Sequence, residues 1–298
     1  MHNNASRKRH DFANGYALMR ANAATMVVTD LDGTLLDSNS RLSSANRQTL
    51  ESLAAKGCLR VVATGRSLWS ALKVLDTTTP IDYLIFASGA GIVSWPGGEL
   101  LHARHMPHKQ ALASSETLRE LGCDFMLHKT VPDNHHFWYH RCGVPNPDFD
   151  RRIERYLDYS QPWPQTALPT EDFSQLLVIQ QTNSSNVSQS LLSKTLAPLS
   201  VIRTTSPLDH CSSWFEIFPA GVSKASGIEW LVARYGMDSR EILVIGNDYN
   251  DLDMLEWAQQ AQVVANAPEE LRRRFKTVPG NDCDGFSVAV RDWQRIVC

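Results

Sequence analysis

Short apolar runs alternate with turn-forming residues along much of this chain. Met26-Val27-Val28-Thr29 reads as a buried strand that ends at Asp30. Ser43 and Ser44 then offer an N-cap to a helix running toward Ala55, and Gly57 stops it. Leu59 to Thr64 predicts the next strand; Gly65 breaks it, and a helix follows through Leu68, Ala71 and Leu75. Tyr83 to Phe86 gives a third strand. Toward the other end, Ile228, Leu231, Val232 and Tyr235 keep the spacing of one apolar helix face. Ile242 to Ile245 and Gln262 to Ala265 add two more buried strands. Alternation of this kind predicts an α/β fold, a doubly wound parallel sheet with helices on both faces.

The middle follows another rhythm. Asp124 to Lys129 and His136 to Arg141 predict paired strands joined by Pro132-Asp133-Asn134. Helices around Phe149–Tyr159 and Val187–Leu196 alternate with strands at Leu176–Gln180 and Val201–Thr205, and Trp214 to Phe218 closes the region. The pattern is that of a small α+β module inserted into the sheet domain. The predicted division is 25–103 and 218–298 for the sheet domain and 104–217 for the insert. Residues 1–24 carry Arg7, Lys8, Arg9 and Arg20 but no apolar stretch of the kind a secretory signal needs. Their composition reads as a disordered extension or a mis-set start, with an ordered contact arm as the alternative.

Composition narrows the classes. At 298 residues and 43% apolar, the chain has room for two packed domains. A formal charge of −3, well mixed, gives no global reason to expect nucleic acid or an anionic membrane as partner. No apolar run is long enough to span a bilayer. The six cysteines are scattered without a C-x-x-C pair, the pattern of free thiols in a reducing compartment, so a cytoplasmic location is expected. Monomer and homodimer both remain open.

Four polar fragments share one position, the point where a predicted strand ends. In open parallel sheets ligands bind outside the carboxyl ends of the strands, so the fragments are expected to meet. The first is Asp30-Leu31-Asp32-Gly33-Thr34. Asp30 and Asp32 point the same way if extended, and two carboxylates at ~4 Å repel by about 1–4 kcal/mol. A hard cation between them would offset this, and one held by carboxylates plus substrate phosphate fits magnesium. The second, Thr64-Gly65-Arg66-Ser67, pairs a hydroxyl and bare backbone with a helix start, an anion cradle. The third is Lys224, at a helix start where a cation opposes the macrodipole unless an anion offsets it. The fourth, Gly246-Asn247-Asp248-Tyr249-Asn250-Asp251, crowds oxygen ligands after an apolar strand; an N-cap alone does not require so many.

In this order and spacing the fragments resemble the haloacid dehalogenase-like phosphatases, most nearly the Cof-like, type IIB branch. The resemblance runs from Met26 to the C-terminus. Ser88-Gly89-Ala90, Asn266-Ala267 and Asp284-Gly285 look like secondary signatures of that branch, and the insert lies where the branch carries its cap domain. The match is specific for family and uninformative about substrate. It implies a Mg2+-dependent phosphomonoester hydrolase acting on a small phosphorylated metabolite, a sugar phosphate or a related ester. Asp30 would be the nucleophile and form an aspartyl phosphate, with Asp32 the general acid and base. Thr64, Gly65, Lys224 and Asn250 would hold the phosphoryl group. Asp30, the Asp32 carbonyl, Asn247 and Asp251 would hold the metal. Two departures stand out: Asn247 replaces the branch's usual Asp, which leaves Asp248 as an alternative ligand, and Ser88 replaces the frequent Asn. A sugar phosphomutase and a phosphate-binding module without turnover are the competing readings. The intact Asp30, Asp32, Thr64 and Lys224 set argues against the latter.

The insert adds a crowded stretch, His128 to Arg141, rich in His and aromatic residues. A strand pair accounts for most of it, and the spacing lacks a zinc pattern. For a substrate-facing role, Trp138 and Arg141 are the leading residues; three apart, they would face opposite sides of a regular strand.

Overall fold

The computed structural model describes residues 25–164, 169–181 and 187–297; the reading of residues 1–24 lies outside the described residues. The first strands are β1 (Met26–Thr29), β2 (Leu59–Ala63), β3 (Tyr83–Phe86), β4 (Gly91–Ser94) and β5 (Leu100–Ala103). The chain then builds a second sheet from β6 (Phe125–Lys129), β7 (Phe137–His140), β8 (Ser160–Pro162), β9 (Phe173–Gln180), β10 (Ser200–Thr205) and β11 (Ser213–Phe218). It returns to the first sheet with β12 (Ile242–Gly246), β13 (Gln260–Val264) and β14 (Lys276–Val278).

The first sheet has the order β14-β13-β12-β1-β2-β3-β4-β5. Its six strands from β14 to β3 are parallel, and β4 and β5 extend it antiparallel. This last hairpin was not expected from the sequence. The second sheet runs β10-β11-β9-β6-β7-β8, antiparallel except for β7 with β8. The predicted β6–β7 pair forms, with Phe125 opposite His140.

The helices are α1 (Ser44–Ala55), α2 (Leu68–Ala71), α3 (His108–Glu120), α4 (Pro147–Arg155), α5 (Gln189–Thr195), α6 (Lys224–Tyr235), α7 (Leu252–Trp257), α8 (Glu269–Arg274) and α9 (Gly285–Val297). Side-chain alternation sorts the first sheet into two cores. Val27, Val62, Leu84 and Leu243 pack with Leu50 and Leu53 of α1 and Phe286 and Trp293 of α9. Val28, Val61, Ile85 and Val244 pack on the other face with Ile228 and Leu231 of α6, Met254 of α7 and Leu271 of α8. In the second sheet, Phe125, Leu127 and Val178 meet α3 and α5 on one face. Met126, Phe137, Leu177 and Trp214 meet α4 on the other, where Trp69 of α2 also docks. The inserted module therefore turns this second face toward the first sheet.

The helix expected after Gly65 is short. It starts as read, with the Ser67 hydroxyl accepting the Ser70 N–H, but the Ser70 carbonyl accepts the Arg66 guanidinium at 3.1 Å. Val74 bonds back to Ala71 instead, so the segment continues as turns.

Gly89 sets the seam between β3 and α6. Its φ of +103° is open to glycine, and a Cβ there would lie 2.0 Å from the Ser223 carbonyl oxygen. The close approach is to the residue that caps α6. Gly89→Ala is expected to destabilise the protein by about 2 kcal/mol or more, read as a lower urea midpoint at unchanged slope. An unchanged midpoint would mean that the seam yields.

Candidate active site

The carboxyl ends of β1, β2 and β12 and the start of α6 converge, as the strand-end rule predicts. Lys224 is fully buried, and its ammonium donates to Asp30 Oδ1 at 2.7 Å and Asp251 Oδ1 at 2.5 Å. Ser223 and Ser226 cap α6 reciprocally. The cation at this helix start thus has its offsetting anions. Burial by itself would lower the Lys224 pKa, but Asp251 and Asp30 hold it well above the ordinary lysine range. One ammonium facing two buried carboxylates leaves one negative charge over. Burial, with the Asp251 charge, pushes Asp30 up to about 8 despite Lys224.

The sequence suggested a cation lodged between the Asp30 and Asp32 carboxylates. The structure separates them. Asp32 turns to Arg66, which donates to it from Nε and Nη2 at 2.7 Å each, a bidentate pair. What Asp32 presents beside Asp30 is its peptide oxygen. The outer atom of the Asn247 amide lies 3.1 Å from Asp30 Oδ2, the Asp32 carbonyl oxygen and Thr34 Oγ1. With nitrogen there, Asn247 donates to this cluster; with oxygen there, a carboxylate, a peptide and an amide oxygen converge, a donor set suited to a hard cation. A Cβ at Gly33 would lie 2.7 Å from the Asn247 amide nitrogen, and Gly33 has φ +71°, so glycine gives the loop room to close over this cluster. Asn266 donates to the Gly33 carbonyl at 2.8 Å and braces it.

Asp251 and Asp248 face elsewhere. Asp251 was expected as a metal ligand, but Oδ1 receives Lys224 and Oδ2 receives the N–H groups of Asn247 and Asp248. It orients the lysine and the loop. Asp248, the alternative ligand, accepts from the Thr204 hydroxyl at 3.1 Å and from the Thr205 N–H at 3.0 Å and hydroxyl at 3.2 Å. It ties the strand-end loop to β10 of the insert. Arg203 lies over the Tyr249 ring, 4.7 Å from its centre, at the same seam.

Thr64 and Gly65 form the floor of a small cradle. The Thr64 hydroxyl accepts the Arg66 N–H at 3.1 Å, which leaves its own hydrogen to donate. A Cβ on Gly65 would enter the space bounded by Ser88 Oγ at 3.4 Å and by Asn250 Nδ2 and Glu216 Oε1 at 3.5 Å. Asn250 therefore reaches the cradle. Ser88, with φ +50° beside Ala87 at +48°, donates to Glu216 Oε2 at 2.7 Å. Glu216 comes from β11 of the insert, and burial raises its pKa. Glu216, the hold of Arg66 on Asp32 and the latch role of Asp248 have no local signal in the sequence. Their partners lie more than 30 residues away.

The strand pair expected in the stretch 128–141 forms. Trp138 packs on the α3 and α5 side with Phe173, ring centres 5.9 Å apart, away from the face that meets Trp69. Arg141 pairs with Asp150 at the end of the hairpin. His128 is buried, bonded through Nδ1 to the Asn134 carbonyl at 2.7 Å, and burial pushes it down to about 3. Among the described residues no group of three His, Cys, Asp or Glu side chains is placed to hold a metal.

A doubly wound sheet with a second sheet over its strand ends is an arrangement this chain shares with solved phosphatases of the haloalkanoate superfamily. One from Bacteroides thetaiotaomicron is 22% identical, with a TM-score of 0.73 over 91% of this chain and 96% of that one. A structure described as a subclass IIB sugar phosphatase is 19% identical, with a TM-score of 0.69 over 91% and 99%. The family model for haloacid dehalogenase-like hydrolases matches residues 27–289, and the chain belongs to that family. Among curated relatives, the 5-amino-6-(5-phospho-D-ribitylamino)uracil phosphatase of Bacillus subtilis is 22% identical over 90% of this chain and 95% of its own length. The chloroplastic endoribonuclease YBEY of Arabidopsis thaliana is 27% identical over 89% of this chain, but this chain spans only 45% of that protein.

Removing the ammonium while keeping both carboxylates tests the charge arrangement. Lys224→Met is expected to cost about 3–5 kcal/mol. Asp30 and Asp251 would then have folded pKa values further above their unfolded ones, so the folded state binds more protons. The deficit therefore grows as pH rises, still increasing above the pH of about 8 at which Asp30 ionises in the unaltered protein, and shrinks as pH falls toward the ordinary carboxylate range. Denaturant melts at pH 8.5 and 5.5 measure this, and a deficit independent of pH would contradict it.

Proposed function

We propose that this protein is a magnesium-dependent phosphatase that hydrolyses small phosphomonoesters through a phosphate ester of Asp30. The observation that carries this reading is the buried Lys224 on Asp30, beside three oxygens gathered at Asn247. Asp30 Oδ2, the Asp32 carbonyl and Asn247 Oδ1 would hold the ion. When bound, it supplies the positive charge that the surplus carboxylate and an incoming phosphate both require.

The chain's own groups do the rest. Thr64, the Gly65 backbone, Lys224 and Asn250 hold phosphoryl oxygens and keep phosphorus in line with Asp30. A carboxylate oxygen of Asp30 bonds to phosphorus as the bond to the leaving oxygen breaks, and Asp32 gives that oxygen a proton. Water then attacks the same phosphorus, Asp32 takes its proton back, and Asp30 is released with inorganic phosphate. Arg66 keeps Asp32 at the mouth of the cradle. Residues 104–217 act as a cap that excludes water and reads the leaving group. The seam through Asp248, Thr204 and Thr205 holds it over the site.

Asp30→Asn is expected to lower phosphate release from an aryl phosphate by at least about a thousandfold while the thermal melt stays cooperative. Excess chelator on the unaltered protein should have a similar effect, reversed by magnesium. Release at the original rate in either experiment would refute the mechanism.

A further inference from the structure

Outward from Asp32 runs a line of side chains the chemistry above does not use. Arg66 holds Asp32 and touches the Ser70 hydroxyl at 3.2 Å. Tyr156, which follows the last residue of α4, lies beside Ser70; burial raises its phenol, but Arg152, the Ser70 hydroxyl, Arg155 and Arg66 together hold it below its ordinary value. Tyr156 also packs on Trp69, ring centres 5.3 Å apart. At the end of this line is Arg152. Its guanidinium carbon sits 4.7 Å from the centre of the Tyr156 ring and 4.8 Å from that of Trp214.

Arg152 is held in place but not paired. Among the described residues no carboxylate lies within ion-pair distance of it, and its Nε is buried without a hydrogen-bond partner. The nearest acid on its own helix face, Asp148, is occupied by the Ser206 hydroxyl and the Trp214 indole. Two ring faces fix a guanidinium plane and leave its N–H edge free. An unpaired buried donor is costly, so the site favours a partner from outside. Glu216, which borders the Gly65 cradle, feels the charges of both Lys224 and Arg152. Trp214, over which Arg152 lies, is two residues before Glu216 on β11 and so shares its face, which puts Arg152 on the side of the insert that faces the cradle.

We propose that Arg152 is a specificity-determining residue that binds an anionic group, a carboxylate or a second phosphate, on the leaving portion of the substrate. This rests on the phosphatase reading above. The planar fork of N–H groups matches either anion with two parallel hydrogen bonds, and a neutral polyol offers no equal partner.

The test uses the full chain with magnesium and two matched pairs: 3-phosphoglycerate against glycerol 3-phosphate, and fructose 1,6-bisphosphate against fructose 6-phosphate. An aryl phosphate serves as reference. The unaltered protein is expected to favour the anionic member of at least one pair by about tenfold or more in kcat/KM; the pair that shows it tells carboxylate from second phosphate. Arg152→Gln should bring that ratio near one, chiefly through KM, and Arg152→Lys should restore only part of it. No preference in either pair overturns the proposal, whether or not the variants fold. So does a preference that survives Arg152→Gln, or a uniform loss on all substrates, which would mark Arg152 as a packing residue. If the unaltered protein leaves the aryl phosphate and all four esters intact, the phosphatase reading itself has failed.

Discussion

Lys224 is an ammonium with no exposed surface, wedged between two carboxylates. Burying three charges is expensive, and the geometry must be close to ideal to recover the cost. Much of the surrounding architecture serves that end. The parallel ladder carries Asp30 to the sheet rim, where its N–H bonds to the Ile245 carbonyl at 2.9 Å. The start of α6 delivers the lysine, and Gly89 lets the chain pass close beneath its cap. Asp251 is fixed by two backbone N–H groups of its own loop. Burial, together with the one unbalanced charge that results, is the reason this site attracts a proton in isolation and would accept a cation with a phosphate.

Among the described residues, contacts of several kinds join the insert to this rim. A carboxylate on two threonines joins Asp248 to β10. A hydroxyl on a buried acid joins Ser88 to Glu216. Aromatic packing joins Trp69 to His135, with ring planes 4° apart, and to Tyr156 and Tyr159. Asp248 and Asn247 are neighbours in one loop, so the contact to the insert and the oxygen cluster at Asp30 share a backbone. The position of the insert is therefore coupled to the geometry of the rim.

The strands at Met26, Leu59, Tyr83 and Ile242 were legible because a strand buried on both faces is a short apolar run with polar punctuation, and local sequence carries that pattern. The cradle residues were legible because each stands at such a strand's end. The β4–β5 hairpin was not: Gly91–Ser94 and Leu100–Ala103 have no distinctive period, and pairing to an existing sheet edge made them strands. Side-chain direction was the other blind spot. Nothing local told that Asp32 would face Arg66 rather than Asp30, or that Trp138 would lie on the α3 side of its sheet. Sequence adjacency alone makes Asp248 a candidate ligand. Its partners Thr204 and Thr205 come from a strand more than 40 residues earlier.

On the proposed function, the surplus charge beside Lys224 is met by a cation held partly by Asn247. Calorimetric titration of magnesium into the unaltered protein, Asn247→Asp and Asp248→Asn measures this without turnover. Tighter binding is expected in Asn247→Asp, because a full charge replaces an amide dipole next to Asp30, and little change in Asp248→Asn, whose carboxylate serves the insert. Unchanged affinity in Asn247→Asp together with a large loss in Asp248→Asn would contradict it and move the ion to the other side of the loop.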